Sequence, residues 1–304
     1  MVQPNRAQAV LITGSSTGIG AACALDLDRL GFRVFAGVRS EEAGQRLRQQ
    51  ASERLMPVML DVTQQESICA AAALIQQHVG GHGLAGLVNN AGIAVVGPLE
   101  AVGIDHLRRQ LEVNVVGQVA VIQAMLPMLR RAQGRIVNMG SVSGRVAAPY
   151  FGPYSASKHA LEAISDSLRM ELRKWGIRVS IIEPGSIDTP IWSKTRDVHE
   201  QWLAEIDTAV AARYADETES LRTASEHMAE TSLPVEYVTR AVRHALVASR
   251  PRARYPVGRS ACWMMFLAAR IPSPLMDYFI CRSLGLRKKP SPSTPLPQAG
   301  EVNQ

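Results

Sequence analysis

Three observations predict an α/β fold, a doubly wound parallel sheet of about seven strands with helices on both faces. Short apolar runs of strand length recur along the chain, longer stretches of helical period separate them, and a glycine-rich turn joins the first run to the first helix. The runs lie at residues 10–12, 33–38, 58–62, 84–89, 135–139 and 179–183, with a seventh near 254–257. They are mostly apolar rather than alternating, which marks strands buried on both faces. Between them, Leu107, Leu111, Val115, Gln118, Ile122 and Met125 keep the spacing of helical faces. Strands and helices that alternate in this way build right-handed βαβ units, and therefore a parallel sheet.

The chain has 304 residues, 46% hydrophobic and 20% charged, enough for one sizeable core. No linker or internal repeat divides it, so residues 8–260 read as a single domain. Residues 186–232 replace a tight turn with about two helices' worth of sequence, and insertions after a strand end cover the ligand site in such folds. Residues 261–287 form an apolar and basic extension, and 288–304, with four prolines, read as a disordered tail. The uninterrupted apolar run 261–269 holds nine residues, far short of the roughly 20 that a spanning helix needs. A helix packed on the core or a partner subunit is expected there, with peripheral membrane contact or channel lining as the alternatives.

The net charge of +6 sits at one end: from Arg250 onward nine Lys and Arg face only Asp277 and Glu301. That end could meet anionic lipid, but no aromatic-interleaved basic strand or recognition helix accompanies it, and nucleic acid is not an expected partner. Cys23, Cys69, Cys262 and Cys281 have no short paired spacing and the seven histidines are scattered, so no metal is expected. The short polar start, without a charged-then-apolar leader, makes a cytoplasmic setting the expectation.

Thr13-Gly14-Ser15-Ser16-Thr17-Gly18-Ile19-Gly20 follows the first strand and opens the first helix. Glycines there let the backbone turn sharply and bring N–H groups, at the positive helix end, against a pyrophosphate. Gly14, Ser16, Gly18, Ile19 and Gly20 are thus candidate dinucleotide ligands. The adenosine end of such a cofactor is read about twenty residues on, at the end of the second strand. An acid would suit a ribose hydroxyl; this chain has Arg39, which suits a 2′-phosphate, so NADP(H) is favoured over NAD(H).

Tyr154 and Lys158 stand four residues apart and share one helical face. A phenol is a poor acid–base group at neutral pH, and a nearby ammonium stabilises its phenolate. Tyr150 has no lysine at the same offset. Ser141 and Ser143 follow the strand at 135–139, and either could donate to a substrate oxygen from that strand's end.

Together these residues resemble the short-chain dehydrogenase/reductase family. The matches are Gly14, Gly18, Ile19 and Gly20, then Asp61-Val62, Asn89-Asn90-Ala91-Gly92, Asn114, Ser141, Tyr154 with Lys158, and Pro184-Gly185, in the family's order and spacing. The resemblance implies a Rossmann-type fold and an NAD(P)(H)-dependent oxidoreductase interconverting an alcohol and a ketone or aldehyde. It implies that Asp61 and Val62 meet the adenine, that Asn90, Ala91 and Gly92 line the cofactor, and that Pro184, Gly185 and Thr189 approach the nicotinamide. It selects Ser141 over Ser143, makes Tyr154 the general acid/base, and places Asn114 in a water-linked relay to Lys158. It further implies a homodimer or homotetramer through the helices that carry Asn114 and Lys158. The stretches 32–39 and 140–144 are similar to the hydroxysteroid and retinol dehydrogenase branch, implying a lipophilic substrate. Tyr150, Phe151, Trp192 and Trp202 could supply its apolar wall or pack the lid. A non-catalytic NAD(P)-sensing regulator on the same fold is the rival reading.

Overall fold

The computed structural model describes residues 8–189, 208–215, 217, 220, 223 and 231–286. Its strands are β1 (Ala9–Ile12), β2 (Arg33–Val38), β3 (Leu55–Met59), β4 (Gly86–Asn89), β5 (Arg135–Met139), β6 (Arg178–Pro184) and β7 (Arg254–Val257). They form one sheet of order β3-β2-β1-β4-β5-β6-β7, and every pairing is parallel. This is the doubly wound sheet expected from the sequence.

Strand alternation separates two cores. Leu11, Phe35, Leu87 and Ile136 point to one face, where they meet α3 (Gln65–Val79) and α5 (Gly117–Ala132) through Ile68, Ile75, Val121, Ile122 and Met125. Val10, Ile12, Val34, Ala36, Val88 and Val137 point to the other. There they meet Cys23, Ala24 and Leu27 of α1 (Gly18–Arg29) and Val238, Val242 and Ala245 of a late helix, Glu236–Val247. A strand covered on both sides has no polar face, which is why these runs read as continuously apolar. The remaining helices are α2 (Glu41–Arg48), α4 (Ile104–Leu111), α6 (Gly152–Glu171) and α7 (Thr208–Arg213). The late helix is α8, followed by α9 (Arg259–Ala268) and α10 (Ser273–Ser283).

The third strand runs from Leu55 to Met59 rather than over the expected 58–62, and Pro57 lies within it without interrupting it. Leu60 N–H donates to Val38 and Arg54 O accepts from Val34, so even-numbered residues of β3 bond to β2. Pro57 turns its nitrogen to the free edge of an edge strand, where no donor is needed. The helix expected around 107–125 is also not regular. A π-helical turn, Glu112–Val116, joins α4 to α5.

Among the described residues one helix is long and apolar enough to cross a membrane, Ile104–Ala132. Its Val121, Ile122, Met125, Met128 and Leu129 are buried against the sheet, so it serves as a core helix here. The C-terminal extension does not pack on the protein's own core, one of the two coverings expected for it. In α9 only Ala261 is buried and in α10 nothing is, while Trp263, Phe266, Tyr278 and Phe279 stand in the open. The tail at 288–304, most of the insertion, and Trp192 and Trp202 lie outside the described residues. The ends of the insertion are tied together, for Ile187 bridges Leu233, with Asp188 N–H donating to Leu233 O at 3.0 Å.

Candidate active site

Strand order reverses between β1 and β4, and a cleft opens at the carboxyl ends of the strands there, where such sheets bind ligands. It collects residues from each strand end from β1 to β6. Gly14, Ser16, Gly18 and Ile19 line it, with Arg39, Asp61 and Val62 at one end and Asn90, Ala91 and Gly92 in the middle. Ser141, Tyr154, Lys158, Pro184, Gly185 and Thr189 line the other end. Of the residues that the family resemblance assigns to catalysis or the cofactor, Gly20 and Asn114 alone do not face the cleft.

The turn after β1 is shaped for close approach. Gly14 has φ +66°, and a Cβ there would fall 2.8 Å from the Ala91 Cα. Gly20 serves packing instead: its Cβ would lie 2.2 Å from the Gly14 carbonyl oxygen, so only glycine lets α1 start this near the turn. Thr13, the first residue of that turn, is the fastener. Its hydroxyl accepts from the Asn90 and Ala91 N–H groups at 3.0 and 2.9 Å. The Asn90 amide returns two bonds to the Thr13 and Gly14 carbonyls. Asn90 thus lines the cleft but uses its side chain to hold the turn.

This cradle suits a dinucleotide. The first turn of α1 carries no acidic residue to compete with a phosphate at its positive end. At the far end Arg39 and Arg109 are exposed and flank Asp61. Burial pushes the Asp61 carboxyl up, but bonds from the Thr63 amide and hydroxyl and both arginine charges outweigh it and hold the group below its usual value. Arg109 was not foreseen; it belongs to no local motif and reaches the cleft only because α4 packs across it.

At the other end Ser141 closes β5 and is buried, its hydroxyl accepting the Ser143 N–H at 3.1 Å. Ser143 itself does not line the cleft. Tyr154 and Lys158 stand one turn apart on α6, both buried. The Lys158 Nζ donates to the Met139 carbonyl at 2.7 Å and lies 5.6 Å from the Tyr154 ring centre. Burial pushes Tyr154 above its ordinary value, with a Ser141 hydrogen bond pulling it back in part, and pushes Lys158 down to about 8. The expected lowering of the tyrosine by the lysine is therefore not the net effect. The ammonium is held by the Met139 carbonyl, beside the ring, and desolvation of the phenolate dominates.

Asn114 occupies the π-helical turn and is fully buried, not an exposed helix residue. Its side chain accepts the Ile93 N–H at 2.9 Å and donates to the Ile93 carbonyl at 3.0 Å and the Ser157 hydroxyl at 3.1 Å. It acts on the site through those neighbours.

The comparisons agree with this geometry. The family model described as short chain dehydrogenase matches residues 8–200. A 17-beta-hydroxysteroid dehydrogenase type 6 of Bos taurus is 40% identical over 282 residues, covering 90% of this chain and 88% of the relative. A retinol dehydrogenase 5 of Homo sapiens is 40% identical over 275 residues, covering 88% and 86%. Among solved structures, a short-chain dehydrogenase from Streptomyces avermitilis superposes with a TM-score of 0.72 at 27% identity, over 94% of this chain and 98% of that one. A Burkholderia cenocepacia short chain dehydrogenase in complex with NADP gives 0.68 at 26% identity, over 88% and 95%. The chain belongs to the short-chain dehydrogenase family, on its hydroxysteroid and retinol dehydrogenase branch, and is an NAD(P)-dependent oxidoreductase acting on CH–OH groups.

Proposed function

We propose that this enzyme interconverts a lipophilic alcohol and its ketone or aldehyde, with Tyr154 as general acid/base and NADP(H) preferred over NAD(H). The observation that carries the reading is the meeting of Ser141, Tyr154 and Lys158 at one end of a cleft whose other end presents Arg39 and Arg109. The nicotinamide, when bound, supplies or accepts the hydride. In reduction, Ser141 and Tyr154 donate to the carbonyl oxygen, and Tyr154 passes its proton to the developing alkoxide. Lys158 binds the cofactor's nicotinamide ribose and offsets negative charge on the phenolate. Gly14, Ser16, Gly18 and Ile19 receive the pyrophosphate, Asp61 and Val62 the adenine, Ala91 and Gly92 the middle, and Pro184, Gly185 and Thr189 the nicotinamide. Gly20 and Asn90 hold the cradle in shape.

The relatives are named for a hydroxysteroid and for retinol, both bulky and apolar. We read a second groove as the place for such a body. It runs between α10, the segment at 98–100 and the approach to α6, with Leu99, Ala148, Pro149 and Tyr150 among its walls. The insertion at 186–232 is read as the lid, since its tied ends carry Ile187 and Thr189 into the cleft.

The cofactor preference is tested by fluorescence titration of NADPH and NADH against parent and Arg39→Ala. A hydrogen bond to a charged group contributes roughly 1.5–3 kcal/mol, so NADPH should weaken by about tenfold or more while NADH holds within about twofold. Equal weakening of both would leave Arg39 a solvated bystander and remove the case for NADP(H).

The extension is read as a peripheral membrane contact. Trp263 is 64% exposed and Phe266 47%, with Arg270 stacked 3.8 Å over the Phe266 ring. Apolar rings beside guanidinium groups suit an interface between headgroups and acyl chains. Protein floated with vesicles containing phosphatidylserine should rise with them, and Trp263→Ala with Phe266→Ala should leave it at the bottom. Parent protein that stays at the bottom defeats this reading and returns the face to a subunit contact.

A further inference from the structure

The helix that carries Asn114 bears three fully buried side-chain amides in one column, Gln110, Asn114 and Gln118. A buried amide without partners is costly, and all their polar atoms but the Gln118 Oε1 are answered by groups placed for them. The answering chain is the extended segment 91–95 that leaves β4. Gln118 Nε2 donates to the Ala91 carbonyl at 3.0 Å, and Asn114 brackets Ile93 as described. Gln110 Nε2 donates to the Ile93 carbonyl at 3.0 Å, and its Oε1 accepts the Val95 N–H at 2.6 Å. Helix side chains thus stand in for a neighbouring strand, and they fix the stretch whose Ala91, Gly92 and Ile93 form a wall of the cofactor cleft.

The same column touches α6. The Ser157 hydroxyl receives Asn114 Nδ2 and, at 3.3 Å, Gln110 Nε2, and it donates to the Tyr154 carbonyl at 2.7 Å. Gln110 is the outermost link, joining Val95 and Ile93 on one side to Ser157 on the other. An apolar residue of equal bulk would leave the Val95 N–H buried without an acceptor and deprive Ser157 of a donor.

We propose that Gln110 is a positioning residue for hydride transfer, setting the register between the cofactor wall at 91–95 and Tyr154 through the Ser157 hydroxyl. The proposal rests on the reading of Tyr154 as the acid/base. A residue of this kind acts on the turnover step, since it touches neither substrate nor the reacting atoms. It should move kcat and leave the organic substrate's KM alone.

The test compares parent, Gln110→Leu, Ser157→Ala, the double variant and Tyr154→Phe, all as full-length protein. It uses NADP(H), an apolar secondary alcohol such as a 17β-hydroxysteroid, and its ketone. For Gln110→Leu we expect a folded protein by circular dichroism, kcat lower by roughly tenfold, and KM for the organic substrate within about twofold. The double variant should lose clearly less than the product of the two single losses, because the link from Gln110 to Tyr154 runs through the Ser157 hydroxyl. A folded Gln110→Leu with kcat within about twofold of parent overturns the proposal, even if its melting point has dropped; so do losses that multiply in the double variant. If Gln110→Leu does not fold, Ser157→Ala decides. A several-fold fall in kcat at constant KM supports the proposal, and an unchanged kcat overturns it. Undiminished turnover in Tyr154→Phe would instead remove the acid–base reading, so the two failures are told apart.

Discussion

Tyr154→Phe should bind cofactor as the parent does and lose about three orders of magnitude in kcat. A positioned general acid contributes roughly 10²–10⁴-fold, and the upper part of that range applies where no second donor can take over. Ser141 and Thr189 bring the other hydroxyls to this end of the cleft, and an alcohol hydroxyl, even one that donates to the same oxygen, is far too weak an acid to replace the phenol. Burial, offset only in part by the Ser141 bond, leaves Tyr154 a neutral phenol at physiological pH, able to donate but reluctant to part with its proton before the alkoxide forms. Phenylalanine keeps the buried ring and the contact with Lys158, so the fold and the cradle at Gly14 and Gly18 are undisturbed. Steady-state turnover read beside a NADPH fluorescence titration separates the two effects. A Kd within about twofold with kcat down by about 10³ is the expected pair. Retained turnover would deny Tyr154 its role. A parent that binds cofactor and turns over nothing, across apolar alcohols and ketones, would favour the sensing regulator.

What the sequence shows of this site is what lies close together along it. The turn from Thr13 to Gly20 is legible because a positive φ at Gly14 and a near-contact at Gly20 are local demands that only glycine meets. Tyr154 and Lys158 are legible because four residues make one helical turn. The sheet is legible because its strands are apolar on both faces. The misreadings come from partners far off in sequence. The third strand, expected at 58–62, starts ahead of Pro57, which only an edge position allows, and that position is set by the sheet rather than by local sequence. Asn114 alone could pass for a surface asparagine, and Gln110 and Gln118 for surface glutamines; their partners at 91–95 lie more than a dozen residues away. Arg109 reaches the Arg39 end of the cleft from a different helix altogether. The extension is expected against the core or a partner subunit because it is apolar, yet composition does not say which surface covers an apolar helix, and here the protein's own core does not.

Lys158→Met should cost turnover at least a hundredfold, since it removes the positive charge beside the phenol while keeping most of the stem. Its second signature is in stability against pH, and the sign follows from the direction of the shift. Burial brings Lys158 from 10.5 down to about 8 in the folded protein. Below about 8 the lysine is charged in both states, and the folded protein bears the whole cost of a buried ammonium held by the Met139 carbonyl. Between about 8 and 10.5 the unfolded chain holds more protons than the folded one, so the parent gains stability as pH rises. Methionine does not titrate, and Tyr154, raised by burial, is present in both proteins and cancels from the difference. The parent-minus-variant unfolding free energy should therefore climb between pH 7.5 and 9.5 by up to about 2 kcal/mol, measured by urea titration. Parallel curves would mean that the Lys158 amine is solvated. The reason for setting this lysine against a carbonyl under the cleft would then be lost, because a solvated ammonium is screened and does little for a phenolate. A climb together with the turnover loss ties the two observations to one buried charge, which is unfavourable to the resting protein and useful when the tyrosine gives up its proton.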